Sequence, residues 1–393
     1  MKAISGILFV AATCIGGGII ALPITLAKIG LVPSIIVMLI TWFIIYKTAL
    51  VNVELNLQAG KGTSLGLLCK RFSGSKAQIF GELNLKLLFY ALLAFYITSA
   101  SSILETIFNI KNVQILYMLF LCIVLFLPTK LVKKVNNTLF LCLLGIIGIL
   151  IFFLLISVNW QNVPLIGSLT DINVWSLLIP VVFTSFGFQV IFHTMTDYYK
   201  CDAIVLKKVF FWGSFIPAIV YIIWTSSVLG AIYNHSLDFY LKMSNNGVEV
   251  GELISELSLI APSFSVQILI KWIGFLAIIT STIGVGLGLV EDIDSQLENK
   301  ISNPFVKRLL SIVLTVLPIY LVITIFSNAF IAILGFAGMI LSFIAILIPI
   351  YLMKGVSSDS LYYPALKNDR ITMFLSLIFG ILIVCCGIYN LTL

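Results

Sequence analysis

Long runs of apolar residues, separated by short clusters of charged and turn-forming residues, make up most of this sequence. A helix needs about 20 apolar residues to cross the hydrocarbon layer of a bilayer, and most of the runs have that length. The pattern predicts eleven membrane-crossing helices, at residues 3–27, 32–57, 84–108, 112–128, 137–157, 174–198, 206–233, 263–291, 306–326, 328–353 and 371–392. Because the connections are short, residues 1–393 are predicted to form a single all-α, polytopic membrane domain.

The basic residues lie mainly on one side of the membrane in this arrangement. Of the 23 lysines and arginines, nineteen fall on one side, and only Lys28, Lys111, Lys242 and Lys271 fall on the other. Since basic residues are retained in the cytoplasm, the richer side is predicted to be cytoplasmic. The N-terminus is then cytoplasmic and, with an odd number of crossings, the C-terminus lies outside.

The composition excludes several classes of protein. Hydrophobic residues make up 61% of the chain and charged residues 10%, with a mean hydropathy of +1.16, which excludes a soluble globular protein. The net charge is +7, but the basic residues are scattered, so no nucleic acid partner is expected. The seven cysteines form no CxxC pair, and no motif predicts a cofactor, a resident metal ion or a required protein partner. The lipid bilayer is the expected environment.

Three connections are long enough to have structure of their own. Residues 59–82 mix apolar and basic residues, which predicts an interfacial amphipathic segment. Residues 234–262 contain three glutamates at helical spacing, which predicts a short helix with its acidic face in water. The acidic residues within 291–298 predict a solvated loop, and Glu54, near the end of the second helix, is expected to be solvated as well.

The first predicted helix contains three consecutive glycines, Gly16, Gly17 and Gly18, near the middle of the membrane. Each glycine destabilises a helix by about 1 kcal/mol. Close packing against a neighbouring helix is one explanation, since small residues let helices approach. Adjacent glycines, however, expose the backbone on every side, which favours an unwound stretch. The free N–H groups at the start of its second half would then form a site for a carboxylate.

The sixth predicted helix carries a second candidate interruption. The pair Thr184-Ser185 and the following Gly187 lie midway along it. Helices one and six occupy equivalent places if residues 1–157 form a first repeat of five helices and residues 174–353 an inverted second repeat, with residues 371–392 as an additional helix. Paired interruptions at equivalent places indicate the substrate site of a transporter.

Four stretches of the chain carry distinctive motifs: residues 13–23 (TCIGGGIIALP), 183–188 (FTSFGF), 284–289 (GVGLGL) and 335–338 (GFAG). Together they resemble the bacterial aromatic amino acid permeases, the tyrosine-specific and tryptophan permeases. The resemblance spans nearly the whole chain. It implies the leucine-transporter-like 5+5 inverted-repeat fold of the amino acid, polyamine and cation superfamily, in the bacterial inner membrane with a periplasmic C-terminus. Gln189 and Phe192 depart from the family, which tends to have His and Pro there.

The resemblance and the chemistry of an amino acid zwitterion together predict a binding site at the two broken helices. A dry site needs donors for the carboxylate and acceptors for the ammonium group. The amides of Gly17 and Gly18 would bind the carboxylate, and carbonyl groups near the breaks would bind the ammonium. Tyr96 is either a further donor or a packed aromatic residue, and the resemblance implies that Phe186 and Phe188 form an apolar pocket. The predicted substrate-binding residues are Thr13, Cys14, Gly16, Gly17, Gly18, Tyr96, Phe183, Thr184, Phe186, Gly187 and Phe188.

Two alternatives remain for the ion that drives transport. Helix eight resembles the sodium site of sodium-coupled members of this fold, and hydroxyl and carbonyl oxygens suit such a hard cation. The residues of this predicted cation site are Ala12, Ile15, Ala277, Thr280 and Ser281. The aromatic permeases themselves are regarded as proton-driven, and a proton carrier needs a titratable side chain. His193 and Asp197, four positions apart on one helix face, are the candidate proton relay.

The sequence therefore predicts a secondary active transporter that imports aromatic amino acids, tyrosine foremost, by proton symport and alternating access. A sodium-coupled symporter of another neutral amino acid is the main alternative. A polytopic membrane enzyme is the alternative of another class, since the His193-x-x-x-Asp197 spacing is reminiscent of acyl-transfer enzymes. With two histidines and no HExxH zinc motif in the chain, an enzyme is not expected.

Overall fold

The computed structural model describes residues 2–60, 63–108, 113–245, 247–261, 263–298, 300–325, 330–356 and 361–392. Every regular element in these ranges is helical, which confirms the all-α prediction. The α-helices are α1 (Lys2–Cys14), α2 (Gly18–Leu26), α3 (Leu31–Ala59), α4 (Leu65–Ser73), α5 (Ser75–Phe108), α6 (Val113–Phe126), α7 (Thr129–Ser157), α8 (Ile172–Ser185), α9 (Phe192–Tyr198), α10 (Ala203–His235), α11 (Leu237–Ser244), α12 (Val250–Ile260), α13 (Phe264–Leu297), α14 (Pro304–Ile325), α15 (Phe330–Ser342), α16 (Ile348–Leu352), α17 (Ala365–Asn368) and α18 (Arg370–Thr392). Shorter turns are the 3₁₀ segments Gln189–Ile191 and Met353–Gly355 and the π segment Phe343–Leu347.

The length and composition of the described helices make the chain a multi-pass membrane protein. Among the described residues, nine helical segments are long and apolar enough to cross a membrane, and α1 with α2, which meet at a bend of 52°, make a tenth if the bent pair is one span. The predicted fourth crossing, α6, has 14 helical residues. It extends over about 21 Å, which is shorter than the hydrocarbon layer of about 30 Å. The count of eleven crossings and the division into repeats 1–157 and 174–353 stay predictions.

Several helices continue beyond the apolar runs from which they were predicted. α5 begins at Ser75, before its predicted start, and α13 continues to Leu297. The acidic residues of 291–298 therefore lie mostly on a helix and not in a loop, and Arg308 donates to Asp294 at 2.8 Å. Hydropathy locates only the part of a helix that lies in lipid, whereas its backbone hydrogen bonds continue into water when the side chains are solvated or paired.

The predicted interfacial segment 59–82 contains one amphipathic helix, α4, and the first turns of α5. α4 buries Leu68 and Cys69 and turns its basic residues to solvent. Residues 62–66 have the Gly-x-Ser-x-Gly spacing of a hydrolase nucleophile, which in hydrolases sits on a turn between a strand and a helix. Here Ser64 caps α4 instead, because its hydroxyl accepts a backbone amide of the first turn.

Residues 234–262 form two helices, α11 and α12, where one was predicted. α12 buries Leu253 and Leu257 on one face and keeps its glutamates partly exposed on the other, as expected for a surface helix. Lys242 on α11 pairs with Glu252 on α12 at 2.6 Å. Burial alone would raise the pKa of Glu252, but hydrogen bonds from Lys242 and from a backbone amide lower it below its ordinary value.

Burial separates the central helices from the peripheral ones. The apolar window is 78% buried in the span Ile331–Gly355 and 72% buried in Ile172–Tyr198 and in Phe264–Leu297, against 22% in Thr129–Ser157 and Arg370–Leu391. Since lipid is as apolar as the protein interior, a peripheral helix can present large side chains outward without cost. α7 and α18 therefore face lipid, whereas α8, α13 and α15 form the centre of the molecule.

Glu54, predicted to be solvated, is fully buried in α3. Its carboxylate accepts the backbone amides of Tyr362 and Tyr363 at 3.1 and 2.9 Å, and the side-chain amide of Gln58 at 2.8 Å. A buried carboxylate is costly unless hydrogen bonds compensate it, and these three donors do so. The prediction was wrong because two of the donors come from a segment that is distant in sequence. Glu54 thus anchors the chain before α18 to α3.

We expect the Glu54→Gln variant to melt at a lower temperature than the wild type in detergent. An amide accepts weaker hydrogen bonds than a carboxylate, and its own N–H₂ group would face backbone donors, so the loss is about 1–3 kcal/mol. Thermal unfolding followed by tryptophan fluorescence measures the shift. The matched control is Glu298→Gln, which changes an exposed carboxylate at the end of α13. Equal melting temperatures for the two variants would contradict the anchoring role.

Candidate substrate-binding site

The first membrane crossing is interrupted at the predicted glycines. α1 ends at Cys14, α2 begins at Gly18, and the two helices meet at 52°. Gly17 has φ −57° and ψ −23°, a conformation that every residue type adopts readily. A glycine is therefore needed here because a side chain would lack space, and not because of the backbone conformation.

The sixth crossing is interrupted as well. α8 ends at Ser185, the 3₁₀ turn Gln189–Ile191 follows, and α9 begins at Phe192. Between them, the amide of Gly187 donates to the carbonyl of Thr184 at 2.9 Å, a tight bond of the kind that closes a helix end. Both predicted interruptions are therefore present.

The two breaks lie directly against each other. A Cβ atom on Gly18 would be 2.6 Å from the Cβ and 3.0 Å from the Cα of Ser185. A Cβ atom on Gly17 would overlap the ring of Phe95 on α5. Both explanations of the glycines therefore apply: the helix is broken at these residues, and their small size allows one broken helix to pack closely against the other.

Tyr221 on α10 links the two breaks. Its hydroxyl donates to the carbonyl of Cys14 at 2.6 Å and lies 2.9 Å from the carbonyl of Ser185. The Tyr221 side chain is fully buried, so it supplies a donor to both broken helices away from water. Sequence analysis missed this residue, because a tyrosine within an apolar run does not reveal which carbonyl its hydroxyl will reach.

Two further side chains replace donors that prolines remove. Pro23 has no N–H group, so the carbonyl of Ile19, four positions earlier, lacks its helical partner. The indole nitrogen of Trp224 on α10 donates to that carbonyl at 2.5 Å. Pro180 likewise leaves the carbonyl of Ser176 in α8 without its helical donor. The side-chain amide of Asn390 on α18 donates to this carbonyl at 2.8 Å. The broken crossings thus depend on α10 and α18 for satisfaction of their backbone.

A cavity of about 80 Å³ lies at the two breaks. Since a water molecule needs about 10–15 Å³ of such volume, the cavity has room for several waters or for part of a small ligand. Seven predicted substrate-binding residues line it: Thr13, Cys14, Gly17, Gly18, Tyr96, Thr184 and Gly187. Sequence analysis missed others, among them Phe89, Phe95, Ser185 and Gln189. None of the described residues that line this cavity carries a charge at neutral pH.

The other four predicted residues lie outside the lining: Gly16, Phe183, Phe186 and Phe188. The ring of Phe186 packs edge-on against Tyr221, with 5.3 Å between centroids, and that of Phe188 stacks on Phe210 at 5.8 Å. Both rings therefore belong to the contact with α10. The aromatic rings of the described lining come from α5 instead.

Backbone groups at the first break remain open. No described residue accepts a hydrogen bond from the amides of Gly17 and Gly18, and none donates to the carbonyl of Thr13. The start of α2 carries partial positive charge, which attracts an anion to these amides. The carbonyls of Cys14 and Thr184, in contrast, already accept hydrogen bonds. The site can therefore receive a carboxylate at two amides and an ammonium group at the Thr13 carbonyl.

One residue of the predicted cation site, Ser281, lies beside the first break. A Cβ atom on Gly16 would be 2.6 Å from the hydroxyl oxygen of Ser281, so α13 approaches the break closely there. Ser281 donates to the carbonyl of Ala277 at 2.8 Å, and Thr280 likewise donates within α13. The hydroxyl oxygens keep lone pairs for another partner. The two remaining predicted ligands are Ala12, in the last turn of α1, and Ile15, in the break itself.

The candidate proton relay lies on α9, outside the cavity lining. His193 is exposed, with its Nε2 atom 3.3 Å from the hydroxyl of Thr194. Asp197 is one turn further along the helix. In the described part of the chain, no three His, Cys, Asp or Glu residues are grouped closely enough to hold a metal ion.

The two broken crossings are tied together at one end. Lys28, after α2, pairs with Asp171 at the start of α8 at 2.9 Å, and the amide of Gly167 donates to the carbonyl of Ile29 at 2.9 Å. The hydrogen bond from Lys28 lowers the pKa of the Asp171 carboxyl below its ordinary value. The cavity extends the other way, along α5 towards the start of that helix.

Comparison with known proteins gives a family match over nearly the whole chain. The model of the tryptophan/tyrosine permease family matches residues 1–387. Tyrosine-specific transport system 1 of Haemophilus influenzae is 27% identical, covering 97% of this chain and 95% of that protein. Glutamine transporter 2 of Aliivibrio fischeri is 24% identical, with 97% and 98% covered. The low affinity tryptophan permease of Escherichia coli is 26% identical, with 98% and 95% covered.

The fold is similar to that of a solved transporter. The crystal structure of a manganese transporter from Eremococcus coleocola superposes with a TM-score of 0.57 and covers 98% of this chain and 85% of that chain. The identity is 15%, so the similarity concerns the fold alone.

Proposed function

The chain belongs to the tryptophan/tyrosine permease family, and on this premise we propose that it is a secondary active transporter that imports aromatic amino acids, with tyrosine as its main substrate. It is an amino acid permease of the membrane and not an enzyme. We place it in the bacterial inner membrane, with the N-terminus in the cytoplasm and the C-terminus in the periplasm, following the distribution of basic residues.

The uncharged lining of the cavity is the observation that carries this proposal. A charged side chain would be needed to balance a substrate with net charge in a dry site. A zwitterion has no net charge, and backbone dipoles suffice for its two ends. In the proposed pose, the amides of Gly17 and Gly18 bind the carboxylate and the carbonyl of Thr13 binds the ammonium group. The aromatic residues of α5 in the lining would receive the side chain of the substrate.

Proton coupling follows from the family resemblance, with His193 and Asp197 proposed as the relay because they share one face of α9. A sodium-coupled symporter of a neutral amino acid is the second candidate. It is favoured by the close approach of Ser281 to the first break. The other predicted ligands, which are Thr280, Ala277 and the carbonyls of Ala12 and Ile15, would complete an oxygen-rich cation site there.

Alternating access is the proposed mechanism. The breaks would act as hinges at which the outer and inner halves of the two crossings close around substrate and cation in turn. In this scheme residues 1–157 and 174–353 form inverted repeats, and residues 371–392 are an additional helix. The contact of Gly18 with Ser185 would then transmit movement of one broken helix to the other.

Uptake of labelled tyrosine into proteoliposomes tests the proposal. Uptake is expected under an imposed inward proton gradient, with inhibition by unlabelled phenylalanine and tryptophan and none by arginine, because arginine would bring an unbalanced charge. An imposed sodium gradient is measured in parallel, and liposomes without protein are the control. Uptake driven by sodium alone would identify sodium, and not the proton, as the coupling ion. Strong inhibition by arginine would contradict the assignment of the uncharged cavity as the substrate site.

A further inference from the structure

Gln189 presents an unsatisfied polar group at the cavity. The residue begins the 3₁₀ turn after the second break, lines the cavity and is only 6% exposed. Its Oε1 atom accepts the backbone amide of Phe188 at 2.8 Å. Its Nε2 atom is buried and has no hydrogen-bond partner among the described residues. Buried donors are nearly always paired, and among the described glutamines with an unpaired Nε2 only Gln189 lines the cavity.

The hydrogen bond to Phe188 fixes the orientation of the side-chain amide. Rotation by half a turn would place Nε2 against the N–H group of Phe188, donor facing donor. The two N–H bonds of Nε2 must therefore remain on the side away from that backbone amide. No described residue accepts a hydrogen bond from them.

The rest of the lining indicates what kind of ligand this is. Phe89, Phe95 and Tyr96 on α5 line the same cavity, and the described lining has no charge. Aromatic rings pack favourably against the ring of an aromatic substrate. A ligand that satisfies both features is a neutral amino acid whose side chain combines a ring with a hydrogen-bond acceptor.

We propose that Gln189 selects the side chain of the substrate, by donating a hydrogen bond from Nε2 to a side-chain oxygen. This inference rests on the proposed function. The phenol of tyrosine supplies the oxygen and the ring, whereas phenylalanine would leave Nε2 dry and unpaired. A site built to bond a polar group rejects the analogue that lacks it far more strongly than a purely apolar pocket can. The carboxamide of glutamine has the same acceptor chemistry but no ring to pack against α5.

The chain supplies a matched control for this residue. Gln114 on α6 also has a buried Nε2 without a partner among the described residues, and it lies outside the cavity lining. Replacement by methionine removes the same group at either position at nearly constant volume. Gln189→Met also removes the acceptor of the Phe188 amide, so the two variants are compared by their preference between tyrosine and phenylalanine and not by affinity alone.

Binding of labelled tyrosine, labelled phenylalanine and labelled glutamine to the purified full-length protein tests the proposal, with an excess of each unlabelled amino acid to define specific binding. The wild type is expected to prefer tyrosine to phenylalanine by roughly 10- to 100-fold. In Gln189→Met the preference should fall to within roughly threefold, because tyrosine binding weakens while phenylalanine binding persists. Gln114→Met should keep the wild-type preference. Retained phenylalanine binding also shows that the Gln189→Met variant is folded.

The outcomes separate this inference from the proposed function. Equal affinity of the wild type for tyrosine and phenylalanine, or an unchanged preference in Gln189→Met, would overturn the role of Gln189 and leave an aromatic amino acid permease. Binding of labelled glutamine and of neither aromatic amino acid, lost in Gln189→Met, would support the donor role of Gln189 and overturn the aromatic substrate. A wild type that binds none of the three would overturn the proposed function itself.

Discussion

Tyrosine uptake is expected to fall roughly 5- to 100-fold in the Gly18→Ala variant, because an over-packed contact costs about 1–3 kcal/mol. The new Cβ would lie 2.6 Å from the Cβ of Ser185, far inside normal contact distance. It would also lie 3.0 Å from the Cα of Ser185, so a change of side-chain rotamer cannot relieve the clash. The two broken helices must move apart, and the amides proposed to bind the carboxylate move with them. Initial uptake rates in proteoliposomes measure the loss.

Two further variants make this result specific. Gly145→Ala adds the same atom on α7, where nothing lies within 4 Å, and should leave uptake unchanged. Combining Gly18→Ala with Ser185→Gly removes the atoms nearest the new Cβ and should restore part of the rate, a coupling that a double-mutant cycle quantifies. Full activity of Gly18→Ala would mean that the breaks need not touch during transport.

The Tyr221→Phe variant is expected to lose both stability and uptake. It removes the donor shared by the carbonyls of Cys14 and Ser185 and leaves them buried with one partner fewer, at a cost of about 1–3 kcal/mol. Because these carbonyls belong to the two breaks, loss of the hydrogen bonds should change the geometry of the proposed substrate site. Thermal unfolding in detergent and tyrosine uptake, measured on the same preparation, give the two effects separately.

Tyr117→Phe is the matched control. Tyr117 is also buried, and its hydroxyl donates to that of Thr282 at 3.0 Å, between α6 and α13 and outside the cavity lining. The same hydroxyl is lost, so a decrease in melting temperature is expected while uptake persists. If both variants lost uptake in proportion to their melting temperatures, Tyr221 would have a structural role only.

The breaks could be predicted from sequence because their causes are local. Three adjacent glycines weaken helical hydrogen bonding wherever they lie, and the interruption at Gly16 to Gly18 is present in the structure. The second interruption, around Gly187, was predicted from a weaker local pattern and from its equivalent position. The lining was predicted only in part, since Phe186 and Phe188 pack against α10 while Phe89 and Phe95 line the cavity.

The sequence alone determined that this chain lies in a membrane, that it is helical throughout its described parts, and where two crossings break. Hydropathy and backbone propensity are properties of neighbouring residues, so no distant contact is needed to infer them. Tertiary structure decided which groups these residues meet: the carbonyls that Tyr221 binds at the breaks, the surroundings of the unpaired Gln189 Nε2 atom, and the burial of Glu54 in α3. Each of these depends on which helices approach each other and on how each helix is rotated about its axis. A polar residue within an apolar run of the sequence indicates neither.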